Sequence, residues 1–189
     1  MSTPHAPLPV KLFVAILAQT SKLLLQAQRA LVPEMGQVEL QSSVWPFVET
    51  DYYRPEMGSG LVRTIVAFRR LIMPDRLAWA KHCAIKCEQQ LAVIRTGCRR
   101  VNLDPGYLDA AKVVLASTKD FTHRLYLGQG IYGEVTLRYT RGEGYQPWPW
   151  TYPDYGSAAY RAFFERVRRQ YRTQLKRGHR LKPETRISQ

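Results

Sequence analysis

The sequence predicts an α+β fold: a ferredoxin-like β-α-β-β-α-β start, extended by an antiparallel β-meander and closed by a C-terminal helix packed on the sheet. Three observations predict it. Short apolar, β-branched runs alternate with segments of helical periodicity through the first hundred residues. Three strand-length runs then follow one another across hairpin-length loops. The last long segment has one aromatic side and one arginine-rich side, the pattern of a helix docked on a sheet.

Each element follows from local chemistry. Residues 10–17 (VKLFVAIL) form a buried-strand run, and residues 21–32 have helical composition up to Pro33, which interrupts helical hydrogen bonding. Residues 38–49 read as extended, with Pro46 at an edge or bend, and a polar-aromatic loop spans 51–58. Residues 61–72 form a strand closed by Pro74. Asp75 stands as the N-cap of a second helix, whose Ala80, Cys83, Ala84, Cys87, Leu91 and Ile94 recur at helical spacing until Gly97. Residues 99–103 are a further strand, and Asp104-Pro105-Gly106-Tyr107 reads as a loop.

The runs 113–118, 123–127 and 131–139 are joined by residues 119–122 and by Gly128-Gln129-Gly130, lengths suited to hairpins. Simple registers place Arg124 opposite Glu134, Tyr126 opposite Tyr132, and His123 opposite Val135 and Thr118. One face then carries Val114, Ala116, Leu125, Leu127, Ile131, Val135, Leu137 and Tyr139 toward the core. The other carries Ser117, Arg124, Tyr126, Tyr132, Glu134, Thr136 and Arg138 and is predicted to be a ligand surface. The terminal helix spans 157–176, giving a flexible leader at 1–9, one domain at 10–177 and a basic flexible tail at 178–189.

Composition narrows the function classes. The chain carries 28 Lys/Arg against 15 Asp/Glu, a formal charge of +13, which favours polyanionic partners. From residue 160 onward there are ten basic and two acidic residues, so most of the excess lies at the C-terminal end. Three cysteines do not build a secreted disulfide framework, and no apolar stretch is long enough to span a bilayer; the expectation is a cytoplasmic protein with no membrane partner. Cys83 and Cys87 with His82 lack a fourth ligand, so packing explains them.

No G-x-x-x-x-G-K-[ST] phosphate loop is present, and Gly128-x-Gly130-x-x-Gly133 precedes a strand where a dinucleotide fingerprint needs a helix. Lys119, Asp120, His123 and Arg124 gather two fixed cations, an imidazole and a carboxylate at one hairpin end, a set able to bind phosphate and move a proton. The competing reading gives them turn-making, cross-strand pairing and core capping. Asp51, Asp104, Glu134 and Asp154 could offer oxygen ligands to a hard cation only if the fold gathers them, and no metal is assigned. Tyr52, Tyr53, Tyr107, Tyr126, Tyr132 and Tyr152 are candidates for stacking on bases.

The phrases PFVETDYYRPEMG (46–58), RRVNLDPGYLDAAKVVLASTKDFTHRLYLGQGIYGEVTLRY (99–139) and WTYPDY (150–155) resemble the bacterial family catalogued as domain of unknown function 4416. The resemblance runs from residue 10 to about 175. It implies a bacterial protein and brings no catalytic roles. What it adds is emphasis on Asp51, Tyr52, Tyr53, Glu56, Asn102, Asp104, Gly106, Tyr107, Lys119, Asp120, His123, Arg124, Glu134, Pro153, Asp154 and Tyr155.

Two function classes follow. The first is a nucleotide or short RNA held by Lys119, His123 and Arg124, with Asp51, Tyr52, Tyr53, Asn102, Tyr107, Tyr126 and Asp154 contributing to binding. An enzyme of this kind would use His123 for proton transfer and Glu134 or Asp104 as base; no cofactor is assigned. The second is a non-catalytic RNA-binding or ribonucleoprotein accessory protein that uses the basic C-terminal helix.

Overall fold

A computed structural model describes residues 2–180. Strand β1 (Val10–Ala18) is buried along its whole length because both of its faces are covered. Helix α1 (Ser21–Met35) starts at Thr20, whose Oγ1 accepts a hydrogen bond from the Leu23 amide. It runs through Pro33, which falls in its last turn, to a cap at Gly36. Strands β2 (Val38–Gln41) and β3 (Trp45–Pro46) both pair with β4 (Val62–Ile72), and a one-turn helix α2 (Arg54–Met57) lies in the loop between.

A 3-10 turn at Pro74–Arg76 leads into α3 (Leu77–Leu91). Asp75 lies inside this turn and makes no capping bond, and the helix ends at Leu91, well before Gly97. Strand β5 (Val101–Leu108) runs straight through Pro105 and Gly106, where the sequence suggested a loop. Then come β6 (Lys112–Ser117), β7 (Leu125–Gly128), β8 (Ile131–Thr140), β9 (Gly144–Pro147), a one-turn helix α4 (Pro153–Gly156) and the long α5 (Ala158–Arg180). The tail predicted to begin at 178 is helical as far as Arg180; the rest of it lies outside the described residues.

Every strand pair is antiparallel, in the order β2-β4-β1-β5-β6-β8-β7, with β3 on β4 and β9 on β8. The order β2-β4-β1-β5 is the split β-α-β arrangement of a ferredoxin-like unit, so the fold is α+β as predicted. Helices α1 and α3 cover one face over Leu12, Val14, Ile16, Val66, Phe68 and Leu103. Helix α5 covers the other with Tyr160, Phe163, Phe164, Val167 and Tyr171, over Phe13, Ala15, Ile65 and Leu137.

The meander is corrected in its order. β8 pairs with both β6 and β7, so it lies between them, and residues 118–124 cross from one side of β8 to the other. The pairing Tyr126↔Tyr132 holds, as does the Arg124–Glu134 contact, but His123 does not face Thr118 across a ladder. β7 is therefore an edge strand, and Leu125 and Leu127, expected in the core, are exposed. A bulge is the second departure: Val113 pairs with Leu137 but Val114 with Val135, so Thr136 is the extra residue. Leu137 consequently packs beneath α5, whereas Val135 packs with Leu77, Val114 and Ile131 on the α3 side.

Candidate functional site

β5 joins β6 only over Gly106–Leu108, opposite Leu115 to Val113. Gly106 is where they come together: a Cβ there would lie 2.4 Å from Phe13 Cζ and 2.5 Å from the Val114 carbonyl oxygen, so only glycine fits. Before Gly106 the two strands part. Pro105 contributes to the separation, because it has no N–H to offer and it aims its peptide groups to the same side as Leu103, two residues back.

Helix α3 fills part of the resulting gap. Lys81 and Glu88, seven residues and thus two turns apart, share one side of the helix. The Leu103 amide donates to Glu88 Oε1 at 2.6 Å, and Lys81 Nζ donates to the Leu103 carbonyl at 2.8 Å. Backbone groups that a neighbouring strand would have used are thereby satisfied by two charged side chains, both buried. Beyond them the gap widens into a cleft of about 460 Å³, bounded by β5, α3, the end of β6, the loop before α2, and α4.

Five cationic side chains line the cleft: Arg63, Lys81, Arg99, Lys119 and Arg124. Four are neutralised. Arg63 donates to Asp154, lies 3.8 Å from Asp104 and stacks on the Phe47 ring at 4.3 Å. Lys81 lies 3.4 Å from Asp104, whose other oxygen accepts from Asn102 Nδ2 at 2.8 Å. Arg99 donates from Nε and Nη2 to Glu56 Oε2 at 2.8 and 2.6 Å and from Nη1 to Asn102 Oδ1 at 3.0 Å. These bonds hold the Glu56 carboxyl below its usual range. Arg124 donates to Glu134 Oε2 at 2.7 Å, to Ser117 Oγ at 2.8 Å, to the Lys119 carbonyl at 2.9 Å and to Tyr152 Oη at 2.8 Å.

Lys119 differs. It forms no ion pair among the described residues, and its ammonium lies 4.1 Å from the centre of the exposed Tyr52 ring, where it lowers the Tyr52 phenol. Two buried donors on the inner wall, Arg63 Nε and Tyr155 Oη, also have no hydrogen-bond partner among the described residues. Burial pushes the Glu88 carboxyl up to about 7, against the opposing effect of Lys81 and the Leu103 amide.

Of the predicted site residues, Glu134, Asp104, Lys119, Arg124, Tyr52, Tyr53, Asn102 and Asp154 line this cleft together. Four lie elsewhere. His123 sits behind Glu134, with Nε2 3.2 Å from Glu134 Oε2 and its ring stacked on Trp150. Asp51 is exposed and lies 3.8 Å from Arg54. Tyr107 packs against the core beneath α3, and Tyr126 is exposed on β7 beside Tyr132. Among the described residues no three acidic, histidine or cysteine side chains converge as a metal site.

Sequence reasoning did not single out Arg63, Lys81, Glu88 and Arg99. A signal existed for three of them. Arg63 interrupts an apolar strand, and Lys81 and Glu88 fall among the apolar positions of α3, so each had to be buried with a partner or directed into a polar cavity.

The protein is a split β-α-β sheet covered on both faces, with a charged cleft where two strands separate. The profile of the family described as "Domain of unknown function (DUF4416)" matches residues 8–171, and the chain belongs to that family. No curated protein matches the sequence. Among the described residues no helix is long and apolar enough to cross a membrane.

Proposed function

We propose that the cleft between β5 and β6 binds a phosphate-bearing small molecule of mononucleotide size, with its phosphate at Lys119. One observation carries this reading: of the five cations lining the cleft, Lys119 alone makes no ion pair among the described residues. An uncommitted ammonium at the rim of a concave site attracts an anion without first breaking a salt bridge. The volume of about 460 Å³ suits a small ligand, and Phe47, Tyr52 and Tyr53 supply aromatic surface for a base.

His123 and Glu134 serve this site at one remove, by fixing Arg124 and with it the Lys119 carbonyl. The basic helix favours an RNA reading less. Arg161, Arg166 and Arg168 donate to the carbonyls of Tyr145, Gln41 and Ala110, contacts that dock α5 on the sheet. Calorimetric titration with nucleoside monophosphates tests the proposal. Lys119→Ala is expected to weaken binding about tenfold while leaving the fold intact. Equal affinity in wild type and variant would count against it.

A further inference from the structure

Apart from the exposed Glu49, the carboxyls in the cleft differ in how much bonding capacity they retain. Glu134 accepts bonds at both oxygens, from Arg124 and from Thr136. Asp154 bonds Arg63 through one oxygen and the Tyr155 amide through the other, and Asp104 faces Lys81 and Asn102. Glu88 is buried like Glu134 and Asp154, yet only its Oε1 is engaged, by the Leu103 amide. Its Oε2 makes no hydrogen bond among the described residues, although the side chain lines the cleft.

We propose that Glu88 is the group that exchanges a proton with the ligand at the floor of the cleft. The ligand then presents its phosphate to Lys119 at the exposed rim and a hydroxyl or N–H group to Glu88 at the buried end. The proposal rests on the reading of the cleft as a phosphate-ligand site and specifies what the other end of that ligand must be. Lys81 and the Leu103 peptide are positioning groups. The Leu103 amide holds Oε1 of the carboxyl, Lys81 holds Leu103 by its carbonyl, and Oε2 is left without a hydrogen bond among the described residues.

Glu88 is charge-poised for this role. Burial raises its carboxyl to about 7, Asp104 adds to the rise, and Lys81, Arg99 and the Leu103 amide oppose it. A carboxyl divided between its two forms near neutrality donates a hydrogen bond in one and accepts in the other.

Two readouts on the full chain test this. Carbon-13 carboxyl NMR of the ligand-free protein should show one glutamate titrating near pH 7 that is missing from Glu88→Gln and moves upward in Lys81→Met. The Gln side chain retains an acceptor for the Leu103 amide, so this variant should fold. Calorimetry with a cyclic nucleoside monophosphate, whose phosphodiester keeps one charge across the range, should show roughly half a proton exchanged per site at pH 7 in wild type and none in Glu88→Gln. Equal proton exchange in the two proteins overturns the proposal. So does a Glu88 that stays ionised down to about pH 5. If the cyclic nucleotide does not bind wild type at all, the phosphate-ligand reading falls by itself, and the carboxyl titration alone decides whether Glu88 holds an exchangeable proton.

Discussion

Two charged clusters line the same cleft with similar residue types, yet they end in different states. Where β7 meets β8, Arg124 uses four of its five N–H donors, on Glu134, Ser117, the Lys119 carbonyl and Tyr152, while Glu134 also receives Thr136. On the wall made by α3 and β4, Glu88 keeps one oxygen and Arg63 its Nε without a hydrogen-bond partner among the described residues. A nearly saturated network fixes geometry, whereas an unsaturated one at a cavity wall retains capacity for a ligand. Charge density in a sequence does not distinguish the two, because saturation depends on what the fold brings alongside.

The comparison breaks first at Glu134. Glu134→Ala leaves Arg124 buried without its carboxylate and should cost about 3–5 kcal/mol in urea unfolding. A loss below about 1 kcal/mol would mean that the nearly saturated cluster is not structural.

Glu88 gives the opposite sign. Its folded-state pKa is raised from the usual 4.5 to about 7, so folding takes up a proton between those values. Stability is therefore lost as pH rises through that window, and the cost is complete above about 7. Glu88→Gln removes it, and the variant should gain on wild type by up to roughly 2–3 kcal/mol above neutrality, with no difference near pH 4. Parallel denaturation curves from pH 4 to 8 for the two proteins would refute this.

Lys81→Met deprives the Leu103 carbonyl and Asp104 of their shared donor, for a loss of about 1–3 kcal/mol by the same assay. Lys119→Ala is the smallest in stability, within about 0.5 kcal/mol, since its ammonium lies against an exposed ring and its backbone bonds survive the substitution. Its effect should appear in phosphate-ligand affinity instead.

Much of the fold was legible because periodicity reports burial directly. The buried runs of β1 and β4 and the amphipathic pattern of α5 produced elements close to those observed. Strand order was less legible. The loop lengths around β7 permit a hairpin with β6, but the sequence carries no signal that β8 inserts between them. Asp104-Pro105-Gly106 has the composition of a turn. It remains in a strand because Phe13 and the Val114 carbonyl leave no room for a side chain at Gly106, a tertiary constraint that local propensity does not contain. In the site, the loop and hairpin residues were visible as polar clusters, Asp104 was visible as one of four scattered acids, and Asn102 entered through family resemblance. Lys81 and Glu88 were hidden by helical periodicity, which presented α3 as a packing element although two of its charges supply partners for a strand edge.

The opening between β5 and β6 is the proposed ligand site. Nitrogen-15 amide NMR during titration with a nucleoside monophosphate tests it most directly. Shifts should concentrate at Tyr52, Asn102, Leu103, Asp104 and Lys119, and be lost in Lys119→Ala. Shifts confined to the arginines of α5, or none at saturating nucleotide, would contradict it.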